Sequence, residues 1–318
     1  MAVILRLVCF MVAILGAAPV WAQEQVYVGV YVNDLPHVDL ATNSYTLDAF
    51  VWFRWQDPSL NPAASMEFMN PFEGWGSSAK AVFDAPQQLD DGSYYQSVRY
   101  QGRFSSPMPV RQYPFDGQTL VLVMEDSHAN IDEQVYLPDV EAVVVNPQLG
   151  LSDYQIGTPR MQISAQTYAT RFGDTSLTGP ETYSRATVSI PLDRPSVTYG
   201  IKVLFPILII LACASLALWL HPAHSEARVG LVVTALLTLV AFQLTALPQV
   251  NYLIMMDWLF FLAYLFVLGT MVQVVRSHWI VRSKDEDLAV GTDRRVFFGM
   301  SVGIVLAGFV VLWSILGG

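Results

Sequence analysis

The chain of 318 residues is short of cysteine, of charge and of catalytic motifs. Its two cysteines, Cys9 and Cys213, both sit in apolar runs, which excludes a disulfide framework and a cysteine metal site. Charged residues make up 14% of it, against the about 25% usual in soluble domains. Basic residues are the scarcer sign, and a net charge of −10 argues against nucleic acid as a partner. No G-x-S-x-G, H-E-x-x-H or P-loop run is present. His37 and His128 are the only histidines between residues 23 and 198, too few for a convincing catalytic set. The expectation is therefore a non-enzyme, with no cofactor and no metal centre.

What the chain does have is apolar mass, 53% of residues, divided unevenly from its charge. Gln23–Thr198 carries 9 Lys and Arg against 21 Asp and Glu, a net of −12; from Tyr199 onward the count is 7 against 6. An acidic, water-facing block precedes an oily one. Ahead of both, residues 1–22 read as a secretory signal: Arg6, the apolar run Leu7–Ala18, then the A-x-A-like Val20-Trp21-Ala22. An uncleaved anchor is the alternative. On this reading the acidic block is exported.

The oily block holds four stretches, about 199–220, 226–247, 252–275 and 296–316, each with the roughly 20 residues that a helix needs to cross a bilayer. The segment 276–295 between the last two carries Arg276, Arg282, Lys284, Arg294 and Arg295, and should be a cytoplasmic loop. An exported N-terminus followed by an odd-numbered crossing puts it on the same side. A multi-pass protein of the cell inner (plasma) membrane, N-terminal domain in the periplasm or extracellular space, is expected.

Residues 23–198 show period-two alternation and turn signals without a long helical pattern. Val26–Val32, Tyr45–Trp55, Ser93–Phe104, Thr119–Glu125 and Thr187–Asp193 read as strands, separated by turns such as Asp90-Asp91-Gly92. Many short strands suggest an all-β immunoglobulin-like sandwich ahead of an all-α four-helix membrane domain.

In the second oily stretch, at 100° per residue, Glu226, Gly230, Thr234, Leu237, Ala241 and Leu244 fall within one narrow arc. Repeated around an axis, they would give a charged, polar inner end and an apolar outer half, with Leu237 and Leu244 as candidate gates. Ordinary helix packing is the alternative, though a membrane carboxylate tends to face a cavity or partner. A cation ~5 Å from one carboxylate gains about 0.8 kcal/mol in water-like dielectric before screening, and each further copy around the axis adds to it. Arg228, about 200° around the helix from Glu226, should point away from the axis.

Several runs together resemble the pentameric ligand-gated ion channels, the Cys-loop receptor superfamily, in its prokaryotic branch. Tyr113-Pro114-Phe115-Asp116-Gly117-Gln118 is similar to the centre of the signature loop, and Trp55-Gln56-Asp57-Pro58-Ser59-Leu60 to the W-x-D-x-x-L run. Ala227-Arg228-Val229-Gly230-Leu231 resembles the start of the pore helix, Leu247–Tyr252 the turn after it, and Pro206 stands where the first helix of the family carries a proline. The two flanking cysteines of eukaryotic members are missing here, so packing and hydrogen bonds must hold that loop.

The resemblance implies a homopentamer around a pore for monovalent cations. An anion channel is the alternative, since the Ala227–Leu231 run also resembles the anion-conducting branch. A non-conducting membrane receptor is the rival from another class. Asp39, Asp116 and Arg194 are implied to meet at the membrane boundary as a coupling bridge. The agonist site is implied between subunits: Phe50 and Trp52 on one side, His128, Asn130, Tyr168, Phe172 and Tyr183 on the other, with Phe72 and Trp75 less clearly placed. An aromatic cage suits a small amine, while protons or divalent cations suit the acidic surface. Lys202 and Asp257 are expected to pair, or Lys202 to snorkel.

Overall fold

The computed structural model describes residues 23–173, 175, 179–283 and 285–316; the expected signal segment lies outside them. The first half folds into two β-sheets. One runs in the order β4 (Ser78–Ala81), β6 (Tyr94–Ser105), β2 (Ser44–Trp55), β1 (Glu24–Asp39), β8 (Gln134–Val145), with β5 (Gln87–Gln88) also on β6. The other runs β10 (Arg160–Thr167), β11 (Thr182–Asp193), β7 (Gly117–Asp126), β3 (Met66–Phe68), with β9 (Gln155–Ile156) on β11. A single helical turn, Pro62–Ser65, precedes β3.

Alternation builds the core between the sheets. Val26, Val28, Val30 and Val32 of β1 and Tyr45, Leu47, Ala49, Val51, Phe53 and Trp55 of β2 face Leu120, Leu122 and Met124 of β7 and Ala186, Val188, Ile190 and Leu192 of β11, all buried. Intervening residues such as Phe50, Trp52 and Arg54 stay on the outer face, half-buried. A one-residue slip would turn every such side chain over, so the register is strongly specified.

Four long helices follow: α1 (Ser196–Leu216), α2 (Ser225–Ala246), α3 (Met255–Arg282) and α4 (Glu286–Leu316), each long and apolar enough to cross a membrane. Their ends differ from the expected spans. The first ends at Leu216 because residues 217–220 turn ahead of Pro222. The third starts at Met255, where the Asp257 carboxylate accepts the Ile254 N–H at 2.9 Å. The largest correction concerns 276–295, which is mostly helix and not loop. α3 runs on to Arg282, and α4 starts at Glu286, with Asp285 accepting the Leu288 N–H at 3.0 Å as its cap. At 1.5 Å per residue α3 is ~42 Å long against a ~30 Å hydrocarbon layer, so Arg276, Arg282, Arg294 and Arg295 ride on helix ends that outrun the apolar slab.

Candidate functional site

Among the described side chains of α2, Arg228, Val232, Ala235 and Leu239 are buried against the rest of the bundle. Their mean direction is about 180° from that of Glu226, Gly230, Thr234, Leu237, Ala241 and Leu244. All six of these are exposed in the single chain, Leu237 by 65% and Leu244 by 69%. The helix thus anchors by one narrow stripe and leaves a carboxylate, a bare backbone, a hydroxyl and aliphatics in line on the other. Thr234 donates its hydroxyl to the Gly230 carbonyl at 2.8 Å, which keeps the oxygen lone pairs outward.

Arg228 is fully buried. Its Nη2 lies 2.7 Å from Asp293 Oδ2 on α4 and its Nε 2.6 Å from the Ala217 carbonyl. Asp293 also accepts from Gln273 Nε2 at 2.8 Å and from Ser277, both on α3. No local pattern foretells Asp293, which lies 65 residues further along the chain.

Where the β-domain meets the helices, Arg194 and Asp116 pair at 3.1 Å with side chains each 4% accessible. Arg194 Nη2 donates to the Tyr154 hydroxyl at 2.7 Å, and the rings of Tyr113, Tyr154 and Tyr199 lie 5.1, 4.7 and 4.9 Å from the guanidinium carbon. Burial pulls the Arg194 pKa down, but Asp116 and Tyr154 outweigh it and hold the pKa above its ordinary value. Burial pushes the Tyr154 phenol up to about 12, so it stays protonated.

Asp39 does not join this group. It binds Arg103 Nη2 at 2.9 Å, because β6 pairs with β2 so that Arg103 faces Thr46, next to the end of β1. The hydroxyl of Thr42, with its backbone N–H, holds the Asp39 carboxyl below the ordinary range. Lys202 and Asp257 do not pair either: Lys202 lies over the Tyr199 ring at 5.4 Å, and Asp257 caps α3.

The cysteine-free loop is held as expected, by hydrogen bonds: Gln118 donates to the Pro109 carbonyl, and Ser106 to that of Thr119. It also grips the helices. Tyr113 donates to the Ala246 carbonyl at the end of α2 at 3.3 Å. Val110 N–H donates to the Tyr252 hydroxyl at 3.1 Å, and Met255 N–H to the Arg111 carbonyl at 2.9 Å. Phe115 packs on Gly200 of α1, 3.3 Å from where a Cβ would stand. Sequence reasoning missed Tyr113 and Tyr252 as contacts, though both lie in runs that carried the resemblance.

Of the expected ligand residues, Tyr168, Phe172 and Tyr183 come together, with ring centroids 5.4 and 5.9 Å from that of Tyr168. Buried Glu125 accepts from the Tyr168 hydroxyl at 2.9 Å and from Arg185; neither Glu125 nor Arg185 was anticipated. A hydrogen bond to Glu181 pushes the Tyr183 phenol up to about 12. The loop bearing His128 and Asn130 is tied beside them by Ile131 N–H to Thr182 O at 2.7 Å.

Phe50 and Trp52 stand on the other sheet, so one chain does not assemble the whole set. Trp52 lies across β1 at Gly29 and donates to Asp139 at 2.9 Å; Phe50 packs beside Arg99. Phe72 belongs elsewhere, under the Arg103 guanidinium at 4.2 Å near Asp39, and Trp75 is 81% exposed on the same loop.

No family model matches the chain. It is similar to a proton-gated ion channel of Gloeobacter violaceus, 23% identical over 329 aligned residues, which cover 94% of this chain and 89% of the relative. That relative is a channel and not an enzyme, in line with the missing catalytic motifs.

Proposed function

We propose that this chain assembles as a homopentameric ligand-gated ion channel of the inner membrane, cation-selective, with its β-domain in the periplasm. The observation that carries the reading is the division of α2: one stripe buries Arg228, Val232, Ala235 and Leu239, and the opposite face presents Glu226 through Leu244 uncovered. Five such faces around an axis make a water path with a carboxylate ring at its inner end and leucine rings above it. Salt screens much of the attraction, yet ~1.4 kcal/mol of what remains already gives a tenfold cation preference.

The likeness to a proton-gated channel makes protons the first stimulus to apply, and the acidic β-domain supports that choice. The Tyr168–Phe172–Tyr183 cluster, closed by Phe50 and Trp52 of a neighbouring copy, suits a small organic cation. Arg194, Asp116, Tyr113 and Tyr252 form the path by which the β-domain moves the helices. A stimulus acts by binding the open arrangement more tightly than the closed one.

The test is current from purified protein in planar bilayers under a salt gradient, with steps of pH, amines and divalent cations, alongside native mass measurement. Five-subunit particles that pass cations on one of these stimuli are expected. A silent protein, an assembly without five-fold closure, or an anion-like reversal potential overturns the reading.

A further inference from the structure

We infer that Asp293, on the last helix, fixes ion selectivity from behind the pore by neutralising Arg228. The inference rests on the cation-channel reading. Arg228 and Glu226 lie two residues apart on the first turns of α2, with opposite charges and opposite directions. A buried guanidinium is poorly screened by salt. Five of them just outside a ring of five carboxylates would cancel much of the field that attracts cations.

The geometry removes that opposition. Asp293 Oδ2 sits 2.7 Å from Arg228 Nη2, with side-chain accessibilities of 1% and 0%. Gln273 and Ser277 both donate to Asp293 Oδ1, so the carboxylate is held in place by α3. Ala289 and Asp293 are the buried residues among the described side chains of α4, and the other described side chains of that helix are half-buried or exposed. α4 packs along α3 through Val296, Phe297, Met300 and Ile304, and at Asp293 it places a carboxylate directly against the pore helix. Stability alone does not call for it, because apolar replacement of a buried ion pair is often neutral or stabilising. Asp293 is thus a positioning residue acting on permeation through Arg228, while Glu226 faces the ions.

The experiment compares reversal potentials of wild type, Asp293→Asn, Arg228→Gln and the double variant R228M/D293L in planar bilayers under a fivefold salt gradient. Asp293→Asn is expected to lower the cation-over-anion permeability ratio roughly three- to tenfold, and R228M/D293L to bring it back toward wild type. Arg228→Gln, which leaves the Asp293 charge uncompensated, should raise the ratio above that of the double variant. A purely structural bridge would alter yield or stability and leave all reversal potentials equal, and that result overturns the inference. If Asp293→Asn does not assemble, Arg228→Gln against the double variant decides by the same criterion. A wild type that is silent or prefers anions sinks the channel reading itself, and is distinguishable because it needs no variant.

Discussion

At Arg194 a single side chain gathers a carboxylate, a phenol hydroxyl and three aromatic rings in a buried place. Removing it strands Asp116. Arg194→Ala should therefore cost about 3–5 kcal/mol of stability, the range for breaking a buried pair. Arg194→Lys, which keeps the charge without the fork, should cost less yet still blunt activation. Thermal unfolding in detergent and bilayer currents check both. A second position acts through space alone: a Cβ on Gly29 would stand 2.1 Å from Trp52 Cζ2. Gly29→Ala should expel the indole from its bond to Asp139 and cost about 1–3 kcal/mol, read as a shift in tryptophan fluorescence and a loss of agonist potency.

Between elements, the loop from Val110 to Phe115 touches α1, the end of α2 and the start of α3. Tyr113→Phe deletes one donated bond to Ala246, worth about 0.5–1.5 kcal/mol, and should move the activation midpoint several-fold with little change in unfolding temperature. An unmoved midpoint would remove Tyr113 from the coupling path. Much of this level was legible beforehand. Period-two runs marked the central strands, and the apolar stretches marked the helices. Asp116 with Arg194 was anticipated from the resemblance. What escaped depends on register and distance. Asp39 found Arg103 because strand pairing placed them together across 64 positions. β10 buries no residue fully, so its alternation was faint. The start of α4 is rich in charge and read as loop, although Asp285 caps it and Glu286 and Asp287 suit the positive end of a helix.

For the whole molecule, acid is the informative variable. Hydrogen bonds from Arg99, opposed by burial, hold the Asp48 carboxyl down at about 2. At Asp139 burial pushes upward, but Trp52 and Arg54 overcome it and the pKa is lowered, as it is at Asp39. A carboxyl whose folded pKa lies below its unfolded value contributes stability that is complete above the unfolded value, near 3.8, and is lost as pH falls through the folded one. The β-domain should therefore lose stability in acid between about pH 4 and 2, as thermal melts followed by circular dichroism at stepped pH would register. Any proton response above pH 4 arises elsewhere, so Asp48→Asn should lower stability and leave the activation pH where it was.

The aromatic half-sites on different sheets carry a consequence for mixed assemblies. If neighbours complete each pocket in the proposed ring, a subunit stripped of Trp52 and another stripped of Tyr168 are each useless alone. Co-expressed, they regain an intact junction wherever the sound flank of one meets the sound flank of the other. Response would then follow the statistics of neighbour order around the ring, and the curve of current against mixing ratio would count how many working junctions one opening requires.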